Sequence, residues 1–117
     1  MNQRQNLGRY GEQRAAIYLE DRGYQIIERN WRTSSGEIDL IASKAGLLVF
    51  IEVKTRNGSG YGHPFESITP EKVARMRRLA AEWCAAKEVR SLKVRLDAVS
   101  ILISAGRVSI EHLKQVL

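Results

Sequence analysis

The pattern of hydrophobic and polar residues predicts two helices among five strands. From about residue 5 to residue 22, small and apolar residues recur at three- and four-residue steps, and Gly23 marks a helix end. Glu12 shares that stripe, so its carboxylate is expected to point toward the interior. A second helix is predicted to begin at residues 69–71, where a threonine N-cap, a proline and an acid follow one another.

Short apolar segments bounded by turn residues predict the strands. Segments 37–43 and 47–55 are separated by only three residues, which indicates an antiparallel hairpin. The other predicted strands are residues 24–29, 94–103 and 107–113. The order helix, three strands, helix, two strands is typical of an α/β fold in which one mixed sheet is flanked by helices. A chain of 117 residues fits one domain, residues 1–117.

Charge and cysteine content narrow the class of protein. Nineteen Lys and Arg against 13 Asp and Glu give a formal charge of +6, which favours a polyanion such as nucleic acid as partner. The alternative is an ordinary basic protein with scattered, solvated lysines. Cys84 is the single cysteine, so an intrachain disulfide and a Cys/His zinc cluster are both excluded. Without a signal-peptide pattern or an apolar run of membrane-spanning length, we expect a cytoplasmic protein with no membrane contact.

Three ionisable residues stand in the apolar hairpin segments. Strand alternation places Glu52 and Lys54 on one face, and Asp39 comes alongside them if its strand is the hairpin partner. Burying unpaired charge costs several kcal/mol per ion, so a metal or a chemical role is indicated. Two close carboxylates favour a divalent cation such as Mg²⁺, and a neighbouring lysine can assist proton transfer or stabilise phosphate charge. These groups suit metal-assisted phosphodiester hydrolysis. The alternative is that Glu52 and Lys54 belong to an ordinary solvated strand face without a chemical role.

The same residues lie in a longer motif. Segment 36–41, Gly-Glu-Ile-Asp-Leu-Ile, followed by segment 49–56, Val-Phe-Ile-Glu-Val-Lys-Thr-Arg, resembles the PD-(D/E)xK nuclease signature and, more closely, the YraN family of predicted endonuclease-like proteins. The resemblance runs from Gly8-x-x-Gly11-Glu12 through residues 30–32 to the second helix and the strand of Asp97. The position before Asp39, often proline in such nucleases, is isoleucine.

The resemblance implies a restriction-endonuclease-like core, similar to that of Holliday-junction resolvases. It implies that Mg²⁺ (or Mn²⁺) is held by Asp39, Glu52, the Val53 carbonyl and the helix-borne Glu12, with Lys54 as the catalytic lysine. The expected activity is hydrolysis of DNA or branched nucleic-acid structures, without a small-molecule cofactor. Resolvases of similar fold dimerise to cut two strands, so a homodimer is suggested by analogy alone. The alternative is a non-catalytic nucleic-acid-binding module of the same fold that acts with a partner protein.

Arginines near these segments are candidate phosphate contacts. Arg56 continues the face of Glu52 and Lys54 and suits either a phosphate or a surface ion pair. The second helix carries a positive group composed of Arg75, Arg77 and Arg78, which either contacts the nucleic-acid backbone or forms a solvated helix face.

Other notable residues have less specific expectations. Glu37 is expected to pair with a nearby arginine, the alternative being contact with the metal through a water. Asp97 either supports the site or pairs with a basic neighbour. Trp31 and Trp83 are expected in the core, with stacking on a base as the alternative for Trp31. His63 and His112 are isolated in the sequence. The glycine-rich segment 58–62 lacks the ending of a nucleotide-binding loop and predicts a mobile, substrate-facing loop.

Overall fold

The fold follows the predicted order of helices and strands. A computed structural model describes residues 3–58, 65–66, 68–90 and 93–115 of the chain, without the side chain of residue 4. Its elements are α1 (Gln3–Asp21), β1 (Gln25–Thr33), β2 (Gly36–Lys44), β3 (Leu47–Asn57), α2 (Pro70–Ala86), β4 (Lys93–Ser104) and β5 (Arg107–Leu113). The predicted substrate-facing loop at 58–62, apart from Gly58, and His63 lie outside the described residues.

All five strands form one mixed sheet in the order β1-β2-β3-β4-β5. Neighbours are antiparallel except β3 and β4, which are parallel and are connected through α2. The β2–β3 hairpin is confirmed, with pairs from Lys44↔Leu47 to Leu40↔Ile51. β1 extends four residues beyond its predicted end because its pairing with β2 continues to the turn, where Thr33 faces Gly36.

Each face of the sheet carries one helix and one hydrophobic cluster. α1 contributes Ala15, Ala16 and Leu19 to a cluster with alternate residues of the central strands, including Val49 and Ile51. On the other face, α2 packs its buried stripe against a second set of strand residues. That set includes Leu48 and Phe50. By strand alternation, Glu52 and Lys54 follow Phe50 on the α2 face.

A glycine allows α1 to lie against the end of β3. A Cβ atom at Gly11 would come 1.7 Å from the Thr55 Oγ1, a distance that no side chain can occupy. Only glycine therefore permits this approach of helix and strand. As a result, the neighbouring Glu12 is held close to the region where β3 leaves the hairpin.

Among the described residues, no helix has the combined length and hydropathy of a membrane span.

Candidate functional site

The candidate site lies where β2 and β3 separate. Their main-chain pairing ends at Leu40↔Ile51, so Asp39 and Glu52 occupy the next positions in the register. Beyond this point the Asp39 Oδ2 accepts a hydrogen bond of 2.7 Å from the Val53 N–H. The carboxylate thus replaces the backbone acceptor that a continued ladder would have supplied.

The predicted trio of ionisable residues lines one cleft of about 420 Å³. Asp39, Glu52 and Lys54 come together there, as strand alternation predicted. Glu52 and Asp39 are half-buried, whereas Lys54 is exposed. The opposite wall is formed by α2 through Lys72, Arg75, Met76 and Leu79. The cleft therefore places acids and bases around one solvent-accessible space.

The surroundings of Asp39 disfavour the ionised form of its carboxyl group. Burial raises its pKa, the hydrogen bond from Val53 opposes that increase, and the negative charges of Glu12, Glu37 and Glu52 raise it further. The resulting pKa is about 7, compared with an ordinary value of 3.8. At neutral pH the Asp39 carboxyl is therefore partly protonated, unless a bound cation offsets the neighbouring negative charges.

Glu12 lies beside this cleft. It lines a second cleft of about 430 Å³ together with Arg9, Asn30 and Arg32. Its pKa is raised chiefly by burial, against a hydrogen bond with Asn30 that lowers it. The helix-borne acid thus acts on Asp39 through its charge, from a neighbouring cavity.

The acids do not form a closed metal cage. Within the described parts of the chain, no group of three or more His, Cys, Asp or Glu side chains is arranged to hold a metal ion. The side-chain oxygen donors of the central cleft that belong to the predicted metal set are those of Asp39 and Glu52.

Asn30 also belongs to this region, although no role was predicted for it. It lies opposite Asp39 in the β1–β2 register, between the pairs Arg29↔Leu40 and Trp31↔Ile38. Its φ of 52° is in the left-handed region, which asparagine tolerates better than most residues. Its side chain hydrogen-bonds Glu12. The available signal was an asparagine, a poor strand former, inside a strand.

The three arginines of α2 do not form one patch. Arg75 lines the central cleft, and a Cβ at Gly36 would lie 3.4 Å from its Cδ, so its stem covers that glycine. Arg77 lines a different pocket beside Cys84, because two residues correspond to about 200° around a helix. Arg78 is exposed and lines none of the clefts described above. Lys72 is one turn before Arg75 and shares its cleft, although on α2 only the three arginines were predicted as phosphate contacts.

Arg56 is half-buried near the end of β3 and does not line the central cleft. The expected pairing of Glu37 is confirmed: its Oε2 lies 2.8 Å from the Arg32 Nε. Trp83 is buried in the core, as predicted, and donates a 2.9 Å hydrogen bond to Glu28. Trp31 is partly buried against the same cluster.

Asp97 belongs to a separate buried network. Its fully buried carboxylate accepts two 2.8 Å hydrogen bonds from Arg95, one of 3.0 Å from the Gln115 N–H, and lies 2.7 Å from the His112 Nε2. Burial raises the pKa of Asp97, but the bonds from His112, Arg95 and Gln115 outweigh it, and the net shift is downward. Of the two predicted roles, pairing with basic neighbours is the one observed. His112 is therefore not isolated in the fold.

Comparison with known proteins places the chain in a family. The model of the uncharacterised protein family UPF0102 matches residues 11–101. A UPF0102 protein of Clavibacter michiganensis is 51% identical over 106 residues, covering 91% of this chain and 90% of the relative. One from Beutenbergia cavernae is 45% identical over 117 residues and covers 99% of both chains. One from Leifsonia xyli is 53% identical over 102 residues, 87% of this chain and 86% of the relative. The chain belongs to the UPF0102 family.

Proposed function

We propose that this protein is a Mg²⁺-dependent (or Mn²⁺-dependent) endonuclease of the PD-(D/E)xK type, which hydrolyses phosphodiester bonds in DNA or branched nucleic-acid structures. The observation that carries the proposal is the convergence of Asp39, Glu52 and Lys54 in one cleft where two strands separate. A protein that only bound nucleic acid would gain nothing from two carboxylates facing an anionic ligand, because like charges repel.

The donors in the cleft fit a magnesium ion. Asp39 uses one oxygen for the Val53 N–H and retains the other, while Glu52 offers a second carboxylate. The Val53 carbonyl points to the same side of β3 as its N–H, since both groups of one residue in an extended strand face the same neighbour. Mg²⁺ commonly takes one or two carboxylates and completes its shell with water and substrate phosphate. A site with two carboxylates therefore suits it better than a cage built from protein alone.

When bound, the cation supplies positive charge for the phosphate oxygens and relieves the repulsion between the two carboxylates. Glu12 adds negative charge from its own cleft and so strengthens the attraction of the site for a cation. This is the role we propose for Glu12, in place of direct contact within the central cleft.

Lys54 is the proposed catalytic lysine. It is exposed and lines the same cleft as Glu52, so its ammonium group faces the space in which a phosphate would lie. From there it can orient the attacking water, transfer a proton, or stabilise the charge that develops on the phosphate. Each of these contributions is made chiefly in the transition state, so Lys54 matters more for rate than for binding.

The basic side chains on α2 are the proposed phosphate contacts nearest to the acids. Lys72 and Arg75 line the cleft wall opposite the strands, and the net charge of +6 draws a polyanion toward it. Two copies of the chain would present two such sites, one for each strand of a duplex. A reducing cytoplasm suits the single cysteine.

The test is a titration of Mg²⁺ and of Mn²⁺ against labelled duplex, single-stranded and four-way-junction DNA, with wild type beside Asp39→Asn. We expect metal-dependent cutting of at least one substrate by wild type and none by the variant. Binding without cutting on every substrate would instead identify a non-catalytic nucleic-acid-binding module.

A further inference from the structure

Three clefts at this end of the sheet are linked by shared lining residues, and together they are called the groove below. The central cleft shares Gly36 and Glu37 with a smaller cleft at the start of β2. That smaller cleft shares Arg32 with the cavity that contains Glu12. The succession of clefts therefore extends from α2 and the candidate acids to the N-terminal half of α1.

Basic side chains occur at both ends of this groove. Lys72 and Arg75 line the end beside α2, whereas Arg9 and Arg32 line the end beside α1. Among the described residues, no salt bridge involves Arg9, Lys72 or Arg75. Arg32 pairs with Glu37, but the two side chains are 73% and 45% exposed. Such an exposed pair is weak, so Arg32 can exchange the carboxylate for a phosphate.

The middle of the groove is fixed to α2. Gly36 has a φ of +140°, and the stem of Arg75 lies directly over it. The preceding turn is tied to the same helix, because Glu82 accepts hydrogen bonds from the Ser35 Oγ at 3.1 Å and from the Thr33 Oγ1 at 3.4 Å. These contacts connect the β1–β2 turn to α2 at the middle of the groove.

We propose that one strand of a nucleic-acid backbone lies along this groove, with phosphates bound by Lys72 and Arg75 on one side of the acids and by Arg9 and Arg32 on the other. The inference rests on the proposed function, since it assigns the path of the substrate through that site. Cations on both sides of the acids hold the intervening phosphate over Asp39 and Glu52. Backbone contacts carry no base information, so the groove binds with little sequence preference.

The test is binding of labelled single-stranded DNA and duplex DNA, in buffer free of divalent metal so that nothing is cut, over a range of salt concentrations. Single alanine variants of Arg9, Arg32, Lys72 and Arg75 are compared with Arg107→Ala. Arg107 is an exposed arginine on β5, at the far edge of the sheet, and its replacement removes the same charge. Melting curves confirm that each variant is folded.

Each groove variant is expected to lower the slope of log affinity against log salt by about 0.7 to 0.9 for each phosphate that the variant no longer binds, and Arg107→Ala to leave it unchanged. The double variant Arg32→Ala/Arg75→Ala should lower the slope about twice as much at unchanged one-to-one stoichiometry, because one strand spans both ends. The proposed path of the strand would be overturned by either of two results. One is wild-type binding that does not depend on salt, and the other is a salt slope for Arg9→Ala and Arg32→Ala equal to that of Arg107→Ala. Comparison of the affinities for single-stranded and duplex DNA shows which form of DNA binds in the groove.

Cleavage in Mg²⁺, measured separately, distinguishes the two claims. If the groove variants have a lower slope but wild type cuts nothing, the groove stands and the endonuclease proposal fails. If wild type cuts while the variants at the α1 end match Arg107→Ala, the endonuclease proposal stands and the groove fails.

Discussion

The Asp39 carboxylate accepts a 2.7 Å hydrogen bond from the Val53 N–H at the point where pairing between β2 and β3 ends. One oxygen thereby satisfies a backbone donor that the separated strands leave without a partner, and the other remains for the cleft. The same side chain therefore supports the strand separation and supplies a donor at the candidate metal site.

Metal binding should stabilise the fold through Asp39. A ligand that binds only the folded state adds about 2.7 kcal/mol to the free energy of unfolding at a concentration one hundred times its Kd. We expect Mg²⁺ to raise the Tm of wild type and to leave the Tm of Asp39→Asn unchanged, as measured by calorimetry. Asp21→Asn, at the exposed end of α1, is the matched control and should respond like wild type. An equal response of all three proteins would argue against a site at Asp39.

Without metal, Asp39 should make stability depend on pH. Its pKa is 3.8 ordinarily and about 7 in the fold, so between these values the folded state keeps a proton that the unfolded state has released. Stability therefore falls as pH rises from about 4 to about 7, and the loss is complete above the folded pKa.

Asp39→Asn removes this loss and can still accept the bond from Val53. The variant should exceed wild type in free energy of unfolding by on the order of a few kcal/mol at about pH 8, and by little at about pH 4. Urea unfolding in chelator at both pH values measures the difference. A difference that does not change with pH would show that Asp39 is ionised as an ordinary surface carboxylate.

Gly11 should be intolerant of substitution because of its contact with β3. An added Cβ would lie 1.7 Å from the Thr55 Oγ1, so Gly11→Ala should cost roughly 1–3 kcal/mol through displacement of α1. Gly8→Ala is the control: nothing lies within 4 Å of its Cβ position, and alanine is favoured over glycine in a helix by about 1 kcal/mol. Denaturant unfolding should therefore give opposite signs for the two variants. Equal effects would mean that α1 does not lie this close to β3.

The buried Asp97 should matter for stability and not for metal binding. Asp97→Ala leaves Arg95 without its buried partner, at a cost of about 3–5 kcal/mol. Asp97→Asn keeps part of the hydrogen bonding and should cost less. In either variant that remains folded, the Mg²⁺-dependent rise in Tm should persist, which calorimetry can measure. Loss of that response in a folded Asp97→Asn protein would connect this network to the cleft.

The fold and the central trio were predictable because they depend on local patterns. Alternation along β3 places Glu52 and Lys54 on one face, and a three-residue connection forces β2 to return beside it with Asp39. The rotation of α2, which brings Lys72 to the cleft and takes Arg77 away, depends on packing between distant segments. Sequence periodicity gives the buried stripe of a helix but does not show which polar residues beside that stripe reach a particular cleft.

Long-range contacts account for the other differences. The left-handed conformation of Asn30 and its bond to Glu12 join β1 to α1, and no spacing rule relates these positions. Asp97 and His112 meet because β5 pairs with β4, so a histidine that is isolated in the sequence becomes part of a buried network.

The most direct test of the central claim is single-turnover cleavage by wild type, Lys54→Ala and Lys93→Ala, in Mg²⁺ and in Mn²⁺. Lys93 is an exposed lysine at the start of β4, in register with Leu47 at the opposite end of β3, and its replacement removes the same charge away from the cleft. Lys54→Ala should lower the rate by about 10²- to 10⁴-fold while DNA affinity stays near that of wild type, because the lysine acts chiefly in the transition state. Lys93→Ala should cut at the wild-type rate. Equal rates for wild type and Lys54→Ala would contradict the assignment of catalysis to this cleft.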